Sequence, residues 1–263
     1  DLENLATYDF FRETIDHLQR LLDIRPQAIA CDRHPDYLST RYAREQTALP
    51  VVAVQHHHAH IVSAMAENRI DDRPAIGLAF DGTGYGDDGT VWGGEVLVAE
   101  PRAFERVAAL DPVRMPGSAA AIREPWRMAV SYLESAFGPE GLERDLPLWR
   151  TLKPGRAALV GQMVRQAINS PLTSSLGRLF DGVAALAGVR ERVAFEGQAA
   201  MELEMLAPGA DGAPYEFHWS VQDILRLDVR PLIRGVVADV EGGAPPAAVA
   251  GRFHATLVAA FTE

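Results

Sequence analysis

Cysteine is almost missing from this chain: Cys31 is the single one among 263 residues. A lone thiol excludes an intrachain disulfide and any cysteine-built zinc site, and a reducing, cytoplasmic setting is expected. Lysine is as scarce, Lys153 being the only one. The 25 basic residues are scattered among 36 acidic ones without a basic block, for a net charge of −11. A duplex or tRNA partner needs a concentrated basic surface to release counterions, so direct nucleic-acid binding is not expected. No uncharged apolar run reaches the roughly 18 residues of a membrane-spanning helix, so no membrane partner is expected either. The start, Asp1-Leu2-Glu3-Asn4, lacks an initiator Met and the apolar core of a signal peptide. The chain stops at Glu263 inside an apolar helical pattern with no closing cap. Both ends suggest a segment of a longer polypeptide. What remains, 48% apolar and 23% charged, is an ordinary globular composition with enough residues for one large domain or two.

Phe10, Phe11, Ile15, Leu18, Leu21 and Leu22 recur at helical spacing, predicting a helix over 8–22 with Thr7 as its cap. Arg25-Pro26 ends it. Ala28 to Asp32 then reads as a short buried strand, with Cys31 as a small core hydrophobe rather than a nucleophile. A helix over Asp36–Gln46 follows. Val51 to Gln55 reads as a second strand, its unbroken apolar run suggesting burial on both faces of a parallel sheet. A third helix starts in the histidines and runs to about Asn68. Ala75 to Phe80 is a strand ending at Asp81. The glycine-rich stretch reads as a turn into a strand over Thr90–Ala99, with Asp87-Asp88-Gly89 as hairpin chemistry. Helical spacing returns over 122–137, 157–168 and 175–188, the last capped by Thr173 or Ser174 and closed by Gly188. Residues 207–214 and 241–247 read as loops. The alternation of strands and helices predicts an α/β layered architecture, divided into a first lobe over 1–72 and a second over 73–263.

Four of the eight histidines fall in His56-His57-His58-Ala59-His60. On a helix His56 and His60 sit one above the other, with Cβ atoms about 5–6 Å apart. Two imidazoles and a carboxylate suit Zn, Fe or Mn. His57 and His58 point elsewhere, towards substrate or into packing. Asp81, at the end of the next strand, is placed to reach the same crevice. The glycines of Asp81-Gly82-Thr83-Gly84-Tyr85-Gly86 let backbone amides approach an anion, although a ligand-free hairpin loop has the same composition. The stretch is neither a Walker A loop nor a dinucleotide fingerprint. Asp181, on an otherwise apolar helix, either accepts from a ribose or faces solvent. Glu196-Gly197-Gln198 opens a helix whose amides can meet an anion or a sugar hydroxyl, or simply cap it. Pro125-Trp126-Arg127 reads as a helix start with a packed indole.

Six blocks together resemble one family. They are Cys31-Asp32-Arg33-His34-Pro35-Asp36-Tyr37-Leu38-Ser39-Thr40, Val54-Gln55-His56-His57-His58-Ala59-His60, Phe80-Asp81-Gly82-Thr83-Gly84-Tyr85-Gly86, Arg123-Glu124-Pro125-Trp126-Arg127-Met128-Ala129, Thr173-Ser174-Ser175-Leu176-Gly177-Arg178-Leu179-Phe180-Asp181 and Phe195-Glu196-Gly197-Gln198-Ala199-Ala200-Met201. In this order they resemble HypF, the carbamoyltransferases of NiFe-hydrogenase maturation, in their large C-terminal domain. The resemblance implies a duplicated actin/Hsp70-like (ribonuclease H-like) α/β fold, two lobes around a metal and nucleotide crevice. It implies carbamoyl-adenylate, made from carbamoyl phosphate and ATP by an upstream domain of the same polypeptide. The carbamoyl group would pass to the C-terminal cysteine thiol of a HypE acceptor protein. It assigns His56, His60 and Asp81 to a divalent metal, iron or zinc. It assigns Gly82, Thr83, Gly84, Tyr85 and Gly86 to the phosphate, and Asp181 and Gly197, with Glu196, to the ribose end of the nucleotide.

Departures from the family pattern are also visible. An upstream strand-turn segment, a downstream Gly-Gly-rich loop and an Asn-Asp-Gly-Gly segment are missing, so an incomplete metal sphere and an inactive fragment are expected. Ser118-Ala119 stands where the family usually has Gly-Asp. The competing expectations are an antibiotic-type O-carbamoyltransferase with a sugar acceptor and a noncatalytic nucleotide-binding scaffold.

Overall fold

The computed structural model describes residues 2, 4–70, 73–207 and 212–262. The expected lobe boundary at 72/73 touches residues 71 and 72, outside the described residues, as do positions 208–211 of the loop expected at 207–214. The first segment holds α1 (Leu5–Leu21), β1 (Ile29–Asp32), α2 (Leu38–Glu45), β2 (Val51–Val54) and α3 (His56–Glu67). Helix α1 begins earlier than its periodicity predicts. Asn4 is the cap, its side chain accepting from Thr7 N at 2.9 Å, and Thr7 closes a reciprocal capping box as the third helical residue.

Strands β1 and β2 pair in parallel, with Ile29 opposite Val51 and Asp32 opposite Val54. Burial on both faces, expected of β2, is not found: Val51 and Val52 are 37% and 55% exposed. This sheet has two strands only; α2 packs on β1 through the buried Thr40 and Ala43, and Val51 and Val52 of β2 stay open to solvent. Cys31 is correspondingly half-buried rather than in a core.

A seven-stranded sheet carries the rest. Its central strand, β4 (Val91–Glu100), pairs antiparallel with β3 (Ala75–Tyr85) and β5 (Ala103–Leu110). Near its start β4 also meets β7 (Leu172–Thr173) in parallel, which in turn pairs with β6 (Val113–Arg114). On the other side β9 (Leu225–Asp228) runs parallel to β5, with β8 (His218–Val221) outside it. Helix α3 packs on one face through Ile61 and Met65 against Ala79, Leu97 and Ala99, a small separate core.

The main core lies on the other side of the sheet. It is built from α4 (Ala119–Arg123), α5 (Trp126–Phe137), α6 (Arg156–Arg165), α7 (Leu176–Leu186), α8 (Gln198–Leu206), α9 (Arg230–Glu241) and α10 (Pro246–Thr262). The helix predicted over 122–137 is two, because Pro125 interrupts the helical hydrogen bonding between α4 and α5. Trp126 is fully buried at the start of α5. Leu179, Val183 and Leu186 of α7 and Phe253 of α10 belong to the same core with almost no exposure. Burying a side chain of this size contributes roughly 1.5–3 kcal/mol, so α7 is held firmly at the bottom of whatever it lines.

One correction concerns the glycine stretch. Asp81 to Tyr85 is not a turn: β3 continues through it, with a register irregularity between Phe80 and Gly84. The chain reverses later, where Gly89 N donates to Gly86 O at 3.0 Å and Gly89 takes φ +77°.

Candidate metal centre and nucleotide cleft

Three secondary elements, α3, β3 and α7, meet at one place. Helix α3 starts there because Gln55 caps it, Oε1 accepting from His58 N at 2.9 Å. That cap sets the first turn, so His56 and His60 share a face one turn apart. Strand β3 brings Asp81 across from them. His56 Nε2 lies 3.0 Å from Asp81 Oδ2 and 3.1 Å from His60 Nε2. One donor atom from each of His56, His60 and Asp81 lies within 4.8 Å of the others. Tetrahedral ligands at about 2.0–2.1 Å from a zinc ion are about 3.3 Å apart, close to the spacing around His56 Nε2. The donor set, two imidazoles and a carboxylate, fits a divalent ion such as Zn or Fe.

The electrostatics follow from this crowding. His56 is pushed up to about 9, chiefly by the Asp81 hydrogen bond, with Asp32 adding to it and burial opposing. Burial works to raise the Asp81 carboxyl, but the His56 and Gly82 N–H bonds outweigh it and hold it at about 2. His57 is lowered to about 4 by burial and by the neighbouring His56 charge. His57 is a packing residue: it is fully buried, with Nδ1 3.1 Å from Gln55 Nε2. His58 turns the other way and bonds the Glu100 carbonyl at 2.7 Å.

Helix α7 is tied to the same spot. Ser175 caps it, accepting from Arg178 N, while its hydroxyl donates to the Asp81 and Gly82 carbonyls at 2.7 and 2.9 Å. Gly177 and Gly82 allow that approach, since a Cβ on Gly177 would lie 2.8 Å from Gly82 Cα. Between β3, α7 and the start of α8 opens a cleft of about 380 Å³. Asp81, Gly82, Arg178, Asp181, Glu196 and Gly197 supply its polar wall, and Phe80, Leu176 and Phe180 its apolar side.

Of the residues singled out for the nucleotide, Gly82, Asp181, Glu196 and Gly197 line this cleft. Gly84 and Gly86 do not. A Cβ on Gly84 would lie 2.3 Å from His57 Cε1, and one on Gly86 2.2 Å from Trp92 Nε1. Their missing side chains serve internal packing. Thr83 buries its hydroxyl without a partner among the described residues, and the Tyr85 carbonyl accepts from Gln55 Nε2 at 3.2 Å. Gly197 takes φ +77° at the start of α8 with no side-chain cap; Gln198 N donates to Phe195 O at 3.4 Å, and Gly197 and Ala200 line the cleft.

Asp181 does not face solvent: it is 3% exposed. Its carboxyl is raised to about 6 by burial, with Arg178 opposing and Glu196 adding. Two residues the sequence reading passed over complete the site. Arg178 is 2% exposed, 3.0 Å from Asp181 but out of line for a hydrogen bond, and its Nε and Nη1 have no partner among the described residues. A charged residue three positions before Asp181 on an apolar helix was the available signal. Asp32 is the other, with Oδ2 2.7 Å from His56 Nδ1.

Comparison with known proteins gives the arrangement its family. A family model described as "HypF Kae1-like domain" matches residues 1–67. A second, "Carbamoyltransferase, Kae1-like Domain, second subdomain", matches 77–263. Carbamoyltransferase HypF2 of Cupriavidus necator is 43% identical over 99% of this chain and 35% of its own length. Carbamoyltransferase HypF of Synechocystis is 40% identical over 98% of this chain and 35% of its own. A full-length HypF crystal structure in the phosphate- and nucleotide-bound form superposes at TM-score 0.91 and 37% identity, covering 100% of this chain and 40% of that one. A crystal structure of T.kodakarensis HypF superposes at TM-score 0.84 and 32% identity, over 99% of this chain and 35% of that one. The chain thus spans about a third of the length of the curated relatives it matches. With both family models and the fold in agreement along its length, the chain belongs to the HypF carbamoyltransferases and carries their Kae1-like, actin/Hsp70-type fold.

Proposed function

We propose that this chain is the carbamoyl-transfer part of a HypF enzyme. It takes carbamoyl-adenylate from an upstream domain of the same polypeptide and passes the carbamoyl group to the C-terminal cysteine thiol of a HypE-like acceptor, the new C–S bond replacing the bond to the phosphate and releasing AMP and the thiol proton. The observation that carries the reading is the adjacency of two features. The His56, His60 and Asp81 donor cluster shares Asp81 with the cleft lined by Gly82, Arg178, Asp181, Glu196 and Gly197.

His56, His60 and Asp81 would hold a divalent ion, iron or zinc, which when bound supplies a Lewis acid for a phosphate or carbamoyl oxygen. The chain's own groups do the rest. Arg178 offers a buried guanidinium with unpaired donors to an anionic oxygen, where low dielectric strengthens the interaction. The start of α8 adds the N–H groups of Ala199 and Ala200, the Gln198 N–H being bonded to Phe195 O. Asp181, ionised above about pH 6, accepts from ribose hydroxyls. The described cleft lining contains no serine, cysteine, threonine or lysine, in keeping with a nucleophile that arrives on the acceptor.

The test uses the full-length polypeptide with carbamoyl phosphate, ATP and purified HypE, followed by mass spectrometry of the acceptor. One carbamoyl group is expected on the C-terminal cysteine, and none with His56→Ala or Asp81→Ala. An unmodified acceptor with the wild-type enzyme would overturn the activity. Full transfer by both variants would overturn the site.

A further inference from the structure

Asp32 ends β1 directly opposite Val54, so the parallel register sets its carboxylate beside the β2–α3 junction where His56 begins. Its two oxygens do different things. Oδ2 faces His56 Nδ1 at 2.7 Å, and Oδ1 accepts from the His34 backbone N–H at 2.7 Å. Its own carbonyl is held by the fully buried Thr40 hydroxyl at 3.0 Å. The residue is therefore held by its backbone carbonyl and by one carboxylate oxygen while the other meets the imidazole.

A carboxylate only accepts hydrogen bonds. Nδ1 of His56 must then carry the proton of that bond, and Nε2, the nitrogen facing His60 and Asp81, is the one left to coordinate. We infer that Asp32 is the positioning residue of the metal centre, holding the His56 ring in the Nδ1–H form with Nε2 turned to the ion. The inference rests on the metal reading proposed above. It assigns Asp32 no contact with substrate. Carboxylates placed behind a metal-bound histidine in this way typically set metal affinity by roughly 10–100-fold.

The competing role is purely structural, with Asp32 capping the turn at His34. Two substitutions separate the roles because they rank in opposite order. Asp32→Asn can keep the cap, its carbonyl oxygen accepting from His34 N–H, but it then presents an NH₂ group to His56 Nδ1. Two donors would face each other whenever Nε2 is free to bind. Asp32→Ala removes cap and acceptor together, and water can still take the Nδ1 proton.

The experiment titrates Co²⁺ into the full-length polypeptide, reading its visible absorption and the affinity by chelator competition. The His60→Ala variant supplies the baseline for any other metal centre in the polypeptide. Asp32→Asn is expected to lose roughly 10–100-fold in affinity, at least as much as Asp32→Ala, while its thermal unfolding in chelator stays near wild type. Wild-type affinity in Asp32→Asn, or a smaller loss than in Asp32→Ala, would overturn the inference in favour of the capping role. Equal Co²⁺ binding by wild type and His60→Ala would overturn the metal centre itself, and the inference with it.

Discussion

Gly84→Ala tests what the glycines of β3 are for. An added methyl would lie 2.3 Å from His57 Cε1, 2.8 Å from its Nε2 and 3.1 Å from His56 Cδ2. To reach ordinary contact the His57 ring must retreat by about 1 Å, and close-packed surroundings do not readily allow that. The ring is fully buried, bonded to Gln55 and packed against Trp92. Overpacking of this kind costs about 1–3 kcal/mol. Position 84 lies in a strand without positive φ, so alanine recovers about 0.4–1 kcal/mol of unfolded-state entropy. The net loss is then about 1–2 kcal/mol, and at about 2–4 °C per kcal/mol the melting temperature falls by roughly 2–8 °C. Because His57 adjoins His56 in the first turn of α3, the displaced ring should also disturb the proposed metal ligands, and Co²⁺ affinity is expected to fall. Scanning fluorimetry in chelator and a Co²⁺ titration read the two effects separately. If unfolding and Co²⁺ binding stay at wild-type values while affinity for AMP collapses, the reasoning is refuted. Gly84 would then serve phosphate approach rather than packing.

Three further outcomes follow from other parts of the molecule. Glu95 is fully buried and accepts from Arg106 Nε at 2.7 Å and Ser174 Oγ at 2.5 Å, so Glu95→Ala removes the buried partner of Arg106, leaves it only the more exposed Asp88 at 3.0 Å and the Ser174 hydroxyl, and should cost about 3 kcal/mol in urea unfolding. A loss under about 1 kcal/mol, typical of an exposed pair, would contradict that account. Ser118 takes φ +49°, a region that favours glycine, and Ser118→Gly should raise stability by about 1 kcal/mol, whereas a destabilised variant would show the residue to be unstrained. Adenosine, which has no group ionising near neutrality, should bind more tightly as pH rises through about 6, because Asp181 becomes an acceptor-only carboxylate there. Calorimetry should find this dependence abolished in Asp181→Asn. The stability sign is opposite: a carboxyl raised by folding favours the folded chain below its ordinary pKa and loses that contribution as pH passes about 6.

Helices were legible where one face is continuously apolar. Helix α7 runs from Leu176 through Leu179 and Val183 to Leu186, and Gly188 follows it at φ +73°. Strand β5 was not legible because its burial is uneven and Glu105 and Arg106 interrupt its apolar residues. Arg106 belongs there for a reason outside the strand: it reaches back to the buried Glu95 of β4. Strands β8 and β9 carry an equally broken pattern, with Ser220 and Arg226 among their apolar residues, and pairing rather than periodicity defines them. The expected burial of β2 failed in the opposite sense. An unbroken valine-rich run states what a strand could bury, not whether a layer lies over it.

The candidate site divides along the same line. His56 and His60 were legible because one helical turn is a local quantity, fixed by 3.6 residues per turn. Asp81 entered through the short distance between α3 and β3 in the chain. Asp32 had no such signal, since its bond to His56 depends on the parallel register that sets Asp32 beside Val54. Alternating glycines were read as a turn because composition alone does not separate a tight bend from a strand crowded on one side. The crowding comes from His57 and Trp92, neither of which the glycine pattern encodes. A glycine repeat therefore identifies where backbone must come close to something. What it comes close to is decided by the side chains that the tertiary fold delivers, and here that is an imidazole at Gly84 and an indole at Gly86 before it is any ligand.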